Sequence, residues 1–214
     1  MDRMKAFFAG MKRPHMGRRL CALVLAIAMM GFCVAVFDLL AVGTDPCSVL
    51  NLGVSRALGI PFGTFQMSIN VLLLLIVIRL DPSRIGAGTL VNMIGVGYVA
   101  EFFMWMLAQF PALADLSLVM RGAIFAPVMV LFLVVASVYM GVEMGVSPYD
   151  ALPQIIAARI GRVPFRLVRM AWDVTALSIG FMLGSTVGVA TLITGFFLGP
   201  MITCVARKIQ PFFA

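Results

Sequence analysis

Gly43-Thr-Asp-Pro-Cys-Ser-Val-Leu50 and Gly145-Val-Ser-Pro-Tyr-Asp-Ala-Leu152 decide how the chain is read. In each, a capping side chain, Asp45 or Ser147, stands directly before a proline at the first helical position. Asp150 follows Ser147 by three residues, as a capping box has it. Gly59 and Gly161 close the two stretches, where a left-handed residue ends a helix. Residues 46–59 and 148–161 therefore read as short helices, each about 20 Å long. A bilayer's hydrocarbon core is about 30 Å thick, so such a helix falls short of crossing it.

Around these stretches lie long apolar runs over residues 20–41, 62–80, 86–108, 118–141, 165–183 and 187–206. Of the 214 residues 62% are hydrophobic and only 12% charged, with mean hydropathy +1.08. A soluble domain carries about 25% charged residues, so a water-soluble globule could not cover itself with this polar content. The expectation is an all-α polytopic membrane protein with one membrane domain over 20–214, behind a basic cytoplasmic segment over 1–19.

The net charge of +7 is concentrated at the start, where Arg3, Lys5, Lys12, Arg13, Arg18 and Arg19 precede the first run. Beside a membrane span such a cluster sets topology, so nucleic acid is not an expected partner. The run over 20–41 is longer than a signal-peptide core and ends on no convincing cleavage site, so it reads as a retained helix. Cys21, Cys33, Cys47 and Cys204 form no Cys-x-x-Cys pair, and His15 stands alone in the basic tail. No phosphate loop, dinucleotide fingerprint, nucleophile elbow or zinc motif is present in the sequence, so neither an enzyme nor a cofactor is expected.

The two halves match in order. After the opening pair, Gly59 aligns with Gly161, Phe62 with Phe165, and Ile85-Gly-Ala-Gly-Thr-Leu90 with Val187-Gly-Val-Ala-Thr-Leu192. This reads as two tandem repeats, over 20–109 and 118–206, each with three long transmembrane helices and one short helix. Repeats of roughly 100 residues are how many secondary transporters are built. A re-entrant short helix makes the second repeat inverted, whereas a spanning one makes the repeats parallel. Length favours re-entry.

These residues resemble the YczE/YyaS/YitT group of bacterial integral membrane proteins, most closely the YczE-like branch. The resemblance rests on Gly43-Thr-Asp-Pro46 with Leu50, Gly59-Ile-Pro-Phe-Gly63, Asn70 and Gly86-Ala-Gly-Thr-Leu-Val-Asn92. In the second half it rests on Gly145-Val-Ser-Pro-Tyr-Asp150, Gly161, Asp173, and Gly188 with Thr191. Cys47-Ser48 departs from the aromatic-Asp pair of that group, which Tyr149-Asp150 keeps. The resemblance implies a polytopic membrane protein and little about its substrate.

Polar residues inside the runs are the candidate site. Asp173 lies near the centre of 165–183, and its repeat mate Asn70 near the centre of 62–80. One turn earlier stand Arg169 and Gln66, so each helix carries a polar pair four residues apart on one face. An ionisable group at membrane depth faces a cavity or a partner. The competing role is interhelical glue, worth about 0.6 kcal/mol per hydrogen bond. Glu101 is a further buried carboxylate, with Arg121 as one candidate partner. The helix starts at Pro46 and Pro148, with Ser147, offer N–H groups and partial positive charge suited to anionic or carboxylate-bearing groups.

The expected function is a secondary transporter or permease of a small solute, with its site at the repeat interface. The alternative is a non-transport membrane factor that assembles with, regulates or protects another protein. The lipid bilayer and an unidentified small solute are the partners; the sequence is silent on oligomeric state. The expected location is the inner (plasma) membrane, multi-pass. In the re-entrant topology all but Arg56 and Arg121 of the 16 basic residues fall on the cytoplasmic side; in the spanning topology all but Arg79 and Arg84 do. Both place the two termini in the cytoplasm. A C-terminal alkaline phosphatase fusion should therefore be inactive and a fluorescent-protein fusion bright, and the reverse pattern would refute it.

Overall fold

The structure, a computed structural model, describes residues 15–110, 113, 115–196, 204 and 208. Its elements are α1 (Met16–Leu39), α2 (Pro46–Leu58), α3 (Phe62–Leu80), a 3-10 turn (Pro82–Arg84), α4 (Ala87–Ala108), α5 (Leu118–Gly141), α6 (Pro148–Ile160) and α7 (Phe165–Met182). Residues 189–196 are also helical, and no strand occurs among the described residues. Most of the basic leader (residues 1–14) and most of the last apolar run beyond residue 196 lie outside the described residues.

Four helices, α1, α3, α4 and α5, are long and apolar enough to cross a membrane, which marks the chain as a membrane protein. The fifth expected span, α7, carries Arg166, Arg169 and Asp173 within its 18 residues. The first helix starts earlier than the apolar run, at Met16, and takes Arg18 and Arg19 into its first turn. Arg19 is buried because its guanidinium donates to the Val142 carbonyl at 2.8 Å, at the negative end of α5.

Both short helices form as their ends foretell. The Asp45 side chain accepts from the Ser48 amide at 3.1 Å, and the Ser147 hydroxyl from the Asp150 amide at 3.2 Å. Pro46 and Pro148 occupy the first turns, and Gly59 and Gly161 end the helices at φ 67° and 65°. At the far end of α2, Arg56 reaches back to Asp38 near the end of α1 at 2.7 Å.

Contacts fix the helix directions. Gly31 of α1 faces Val99 and Ala100 of α4, and Gly95 faces Ile27, so equal steps along both chains make α1 and α4 parallel. Against α5 the order reverses: Phe37 meets Phe125, Cys33 donates to Val128, and Arg19 to Val142. Helix α3 runs back along α4, with Gly63 beside Glu101 and Gln66 beside Gly97. Since α1 and α3 are antiparallel, α2 starts and finishes on one side of the bundle. It does not cross.

The apolar core has two parts. Leu23, Ile27, Phe37, Val96, Ala100, Phe132 and Val135 join α1, α4 and α5. Val77 of α3 packs with Ala151, Leu152 and Ile155 of α6. Helix α2 meets α7 where Gly53 lies against Gly180, two glycines letting the backbones touch. Between α3 and α4, Asp81 accepts from the Ser83 hydroxyl and amide and pairs with Arg84, which hold its carboxyl below the usual range.

The glycine contacts separate packing from propensity. A Cβ on Gly53 would stand 2.5 Å from the Gly180 carbonyl oxygen, whereas one on Gly122 meets nothing within 4 Å. Gly53→Ala should cost about 1–3 kcal/mol by overpacking. Gly122→Ala should be neutral or gain up to about 1 kcal/mol from helix propensity. Thermal melts of both variants in one detergent check this.

Candidate functional site

The chemistry collects where α6 folds back on α7. Arg169 and Asp173, one turn apart on α7, pair at 2.7 Å through the guanidinium Nε. The Nη1 of Arg169 pairs at 2.6 Å with Asp150, in the first turn of α6. The other oxygen of Asp150 accepts from the Ser147 hydroxyl at 2.8 Å, so the residue that caps α6 also orients the carboxylate. The Tyr149 hydroxyl donates to Asp173 at 2.8 Å, and the guanidinium lies 5.5 Å over the Tyr149 ring. One arginine thus ties two carboxylates, and Tyr149 touches both the arginine and Asp173.

Next to this clamp lies a cavity of about 190 Å³ between α2, α3, α6 and α7. Its wall includes Cys47 and Asn51 of α2, Asn70 of α3, Tyr149 of α6, and Trp172 and Thr175 of α7; the rest is aliphatic. The amide nitrogen of Asn70 donates to the Gln66 carbonyl at 2.9 Å, which turns its oxygen the other way. The side-chain oxygens of Asn51 and Asn70, and the indole nitrogen of Trp172, have no hydrogen-bond partner among the described residues. Unpaired buried polar atoms are rare and costly, so three on one wall single the cavity out. A wider depression over Gln154, Ala157, Ala158, Val163 and Phe165 opens outward and holds no such atom, which makes it the weaker candidate despite its 460 Å³.

The structure brings together six of the eight residues singled out from sequence. Asp173, Arg169, Ser147 and Pro148 belong to the clamp and its helix start; Asn70 lines the cavity, and Pro46 precedes Cys47 on its wall. Gln66 and Glu101 stand apart. Gln66 packs against Gly97 of α4, because α3 turns that part of its surface to α4. Glu101 accepts from the Gly63 amide at 2.8 Å and so caps the start of α3. Arg121 instead donates to the carbonyls of Leu116 and Leu40. Sequence reasoning missed Asn51. The one signal for Asn51 was an amide inside a short helix, four residues after Cys47, whose sulfur accepts from it at 3.6 Å.

A membrane protein whose described elements are helical, with a small cavity beside a partly buried charged clamp, is the class these features define. The chain belongs to the family of unknown function DUF6198, whose model matches residues 17–207. It is also similar to an uncharacterized protein of Haemophilus influenzae, 25% identical over 183 residues that cover 84% of this chain and 79% of that one. No solved structure matches.

The clamp makes a stability prediction. Arg169→Ala leaves Asp150 and Asp173 without their shared cation and should cost about 3 kcal/mol or more. Asp173→Asn keeps an acceptor for Tyr149 and leaves Arg169 paired with Asp150, so it should cost less. Unfolding midpoints measured side by side test that ranking, and equal losses would contradict it.

Proposed function

We propose that the chain is a secondary transporter or permease of a small solute, and that the cavity between α2, α3, α6 and α7 is its binding site. The observation that carries this is the pair of unpartnered asparagine oxygens, Asn51 and Asn70, on two residues that line the cavity. Transporter sites lie near the midplane, beside interrupted helices, at the interface of two repeats.

A two-repeat organisation, with the second unit inverted, supports the reading. The contact of α2 with α7 has a counterpart in that of α3 with α6. The Val42 carbonyl accepts from the Ala190 amide at 3.0 Å, and the Met144 carbonyl from the Gly88 amide at 2.7 Å. Each pair joins one half of the chain to the other at matching places. The directions of α1, α4 and α5 fit three crossings per unit. Rocking of one unit against the other would open the cavity to alternate sides. The YczE-like resemblance, a plasma-membrane location and cytoplasmic termini belong to the same proposal.

The anionic solute expected from the helix starts meets an internal competitor. Asp45 already caps α2, and Asp150 already sits in the first turn of α6, so the chain's own carboxylates occupy the positive helix ends.

A library of small solutes tested by thermal shift on the purified protein should contain one that stabilises it. Saturation at about a hundred times Kd adds about 2.7 kcal/mol. That solute should then show counterflow in proteoliposomes. Binding without counterflow would reject transport.

A further inference from the structure

We propose, building on the transport reading, that the cavity takes a small organic cation with an apolar body and a protonated amine. Its size sets the first limit. An engineered apolar cavity of about 150 Å³ holds benzene. The 190 Å³ here admits one ring with a short amine arm, and nothing drug-sized.

The polar atoms set the second limit. Asn51 and Asn70 are 1% and 3% exposed, and each presents an oxygen with no partner among the described residues. The orientation of Asn70 is settled by its own bond, because an amide nitrogen and not an oxygen must face the Gln66 carbonyl. Two buried acceptors on facing helices call for N–H donors, and an ammonium group has three. The unpartnered indole N–H of Trp172 is met by a hydroxyl or ether oxygen elsewhere on the ligand.

Charge sets the third. Beside the cavity, Arg169 pairs with both Asp150 of α6 and Asp173 of α7. The α3 side of the wall contributes Asn70 and aliphatic residues. Two carboxylates against one guanidinium leave the clamp beside the cavity with surplus negative charge, which a bound cation offsets and an anion aggravates. Arg169 already lies over the Tyr149 ring, so the Trp172 ring, 5.6 Å from it, is the aromatic face that favours a cation.

Three probes of nearly equal shape separate the possibilities: benzylamine, benzyl alcohol and benzoate. Binding to the purified full chain is read by calorimetry and thermal shift near neutral pH, where the amine is protonated. Benzylamine should bind at least about tenfold tighter than benzyl alcohol, and benzoate should not bind. Asn70→Leu and Asn51→Leu should each weaken benzylamine about tenfold or more; two variants keep the test readable where one fails to fold. Benzoate or benzyl alcohol binding as tightly as benzylamine, no binding of any probe, or unchanged affinity in the folded variants would overturn the proposal. Uptake of labelled benzylamine into proteoliposomes separates the two claims. Binding without flux keeps the cation site and rejects transport, whereas flux of benzoate keeps transport and rejects the cation site.

Discussion

Backbone inside a membrane protein must find its hydrogen bonds within the protein, and this requirement governs the two non-helical passages leading into α2 and α6. The carbonyls of Val42 and Thr44 accept from Ala190 and from the Thr194 hydroxyl, at 3.0 and 3.5 Å. The carbonyls of Met144 and Val146 accept from Gly88 and from the Thr89 hydroxyl, at 2.7 and 2.9 Å. Each passage is thereby docked against the start of a helix in the other half of the chain. Neither half can satisfy its own buried backbone, so the halves must fold together. The short helices then start at fixed points, and their caps, prolines and first-turn side chains follow.

From that docking the site inherits its charge balance. Asp150 is held in the first turn of α6 by Ser147, so Arg169 on α7 finds it at 2.6 Å while keeping Asp173 at 2.7 Å. A buried ion pair contributes little net stability over a well-packed apolar substitute, whereas one broken on one side costs several kcal/mol. Such a clamp is better suited to fixing geometry than to adding stability. It holds Tyr149 at the cavity, and through Tyr149 the wall is coupled to Asp173.

Much of the fold was legible because its signals are local. Runs 62–80 and 118–141 became α3 and α5 with the same bounds, and Asp-Pro, Ser-Pro and the two closing glycines marked α2 and α6. The Arg169–Asp173 pair was legible for the same reason, being one turn apart on one helix. Non-local partners were not. Gln66 shares a helix face with Asn70 by spacing, yet α4 approaches through Gly97 and takes Gln66 for itself. Glu101 became a cap because Gly63 of another helix lies beside it. Asn51 carried no periodic or charge signal, and only the meeting of α2, α3, α6 and α7 gives it meaning. Basic-residue counts fit both topologies, whereas the parallel packing of α1 on α4 supports the three-crossing reading.

The claim on which the rest stands is that α2 enters and leaves on one side, so that α1, α3 and α4 are the crossings of the first half. Ala41→Cys and Ile60→Cys flank α2 at exposed positions, and both can be placed in a chain freed of Cys21, Cys33, Cys47 and Cys204. Labelling with a membrane-impermeant maleimide, from one side and then from both, reads the side of each. The account requires both positions to label from the same side. Labelling from opposite sides would make α2 a true span and contradict it.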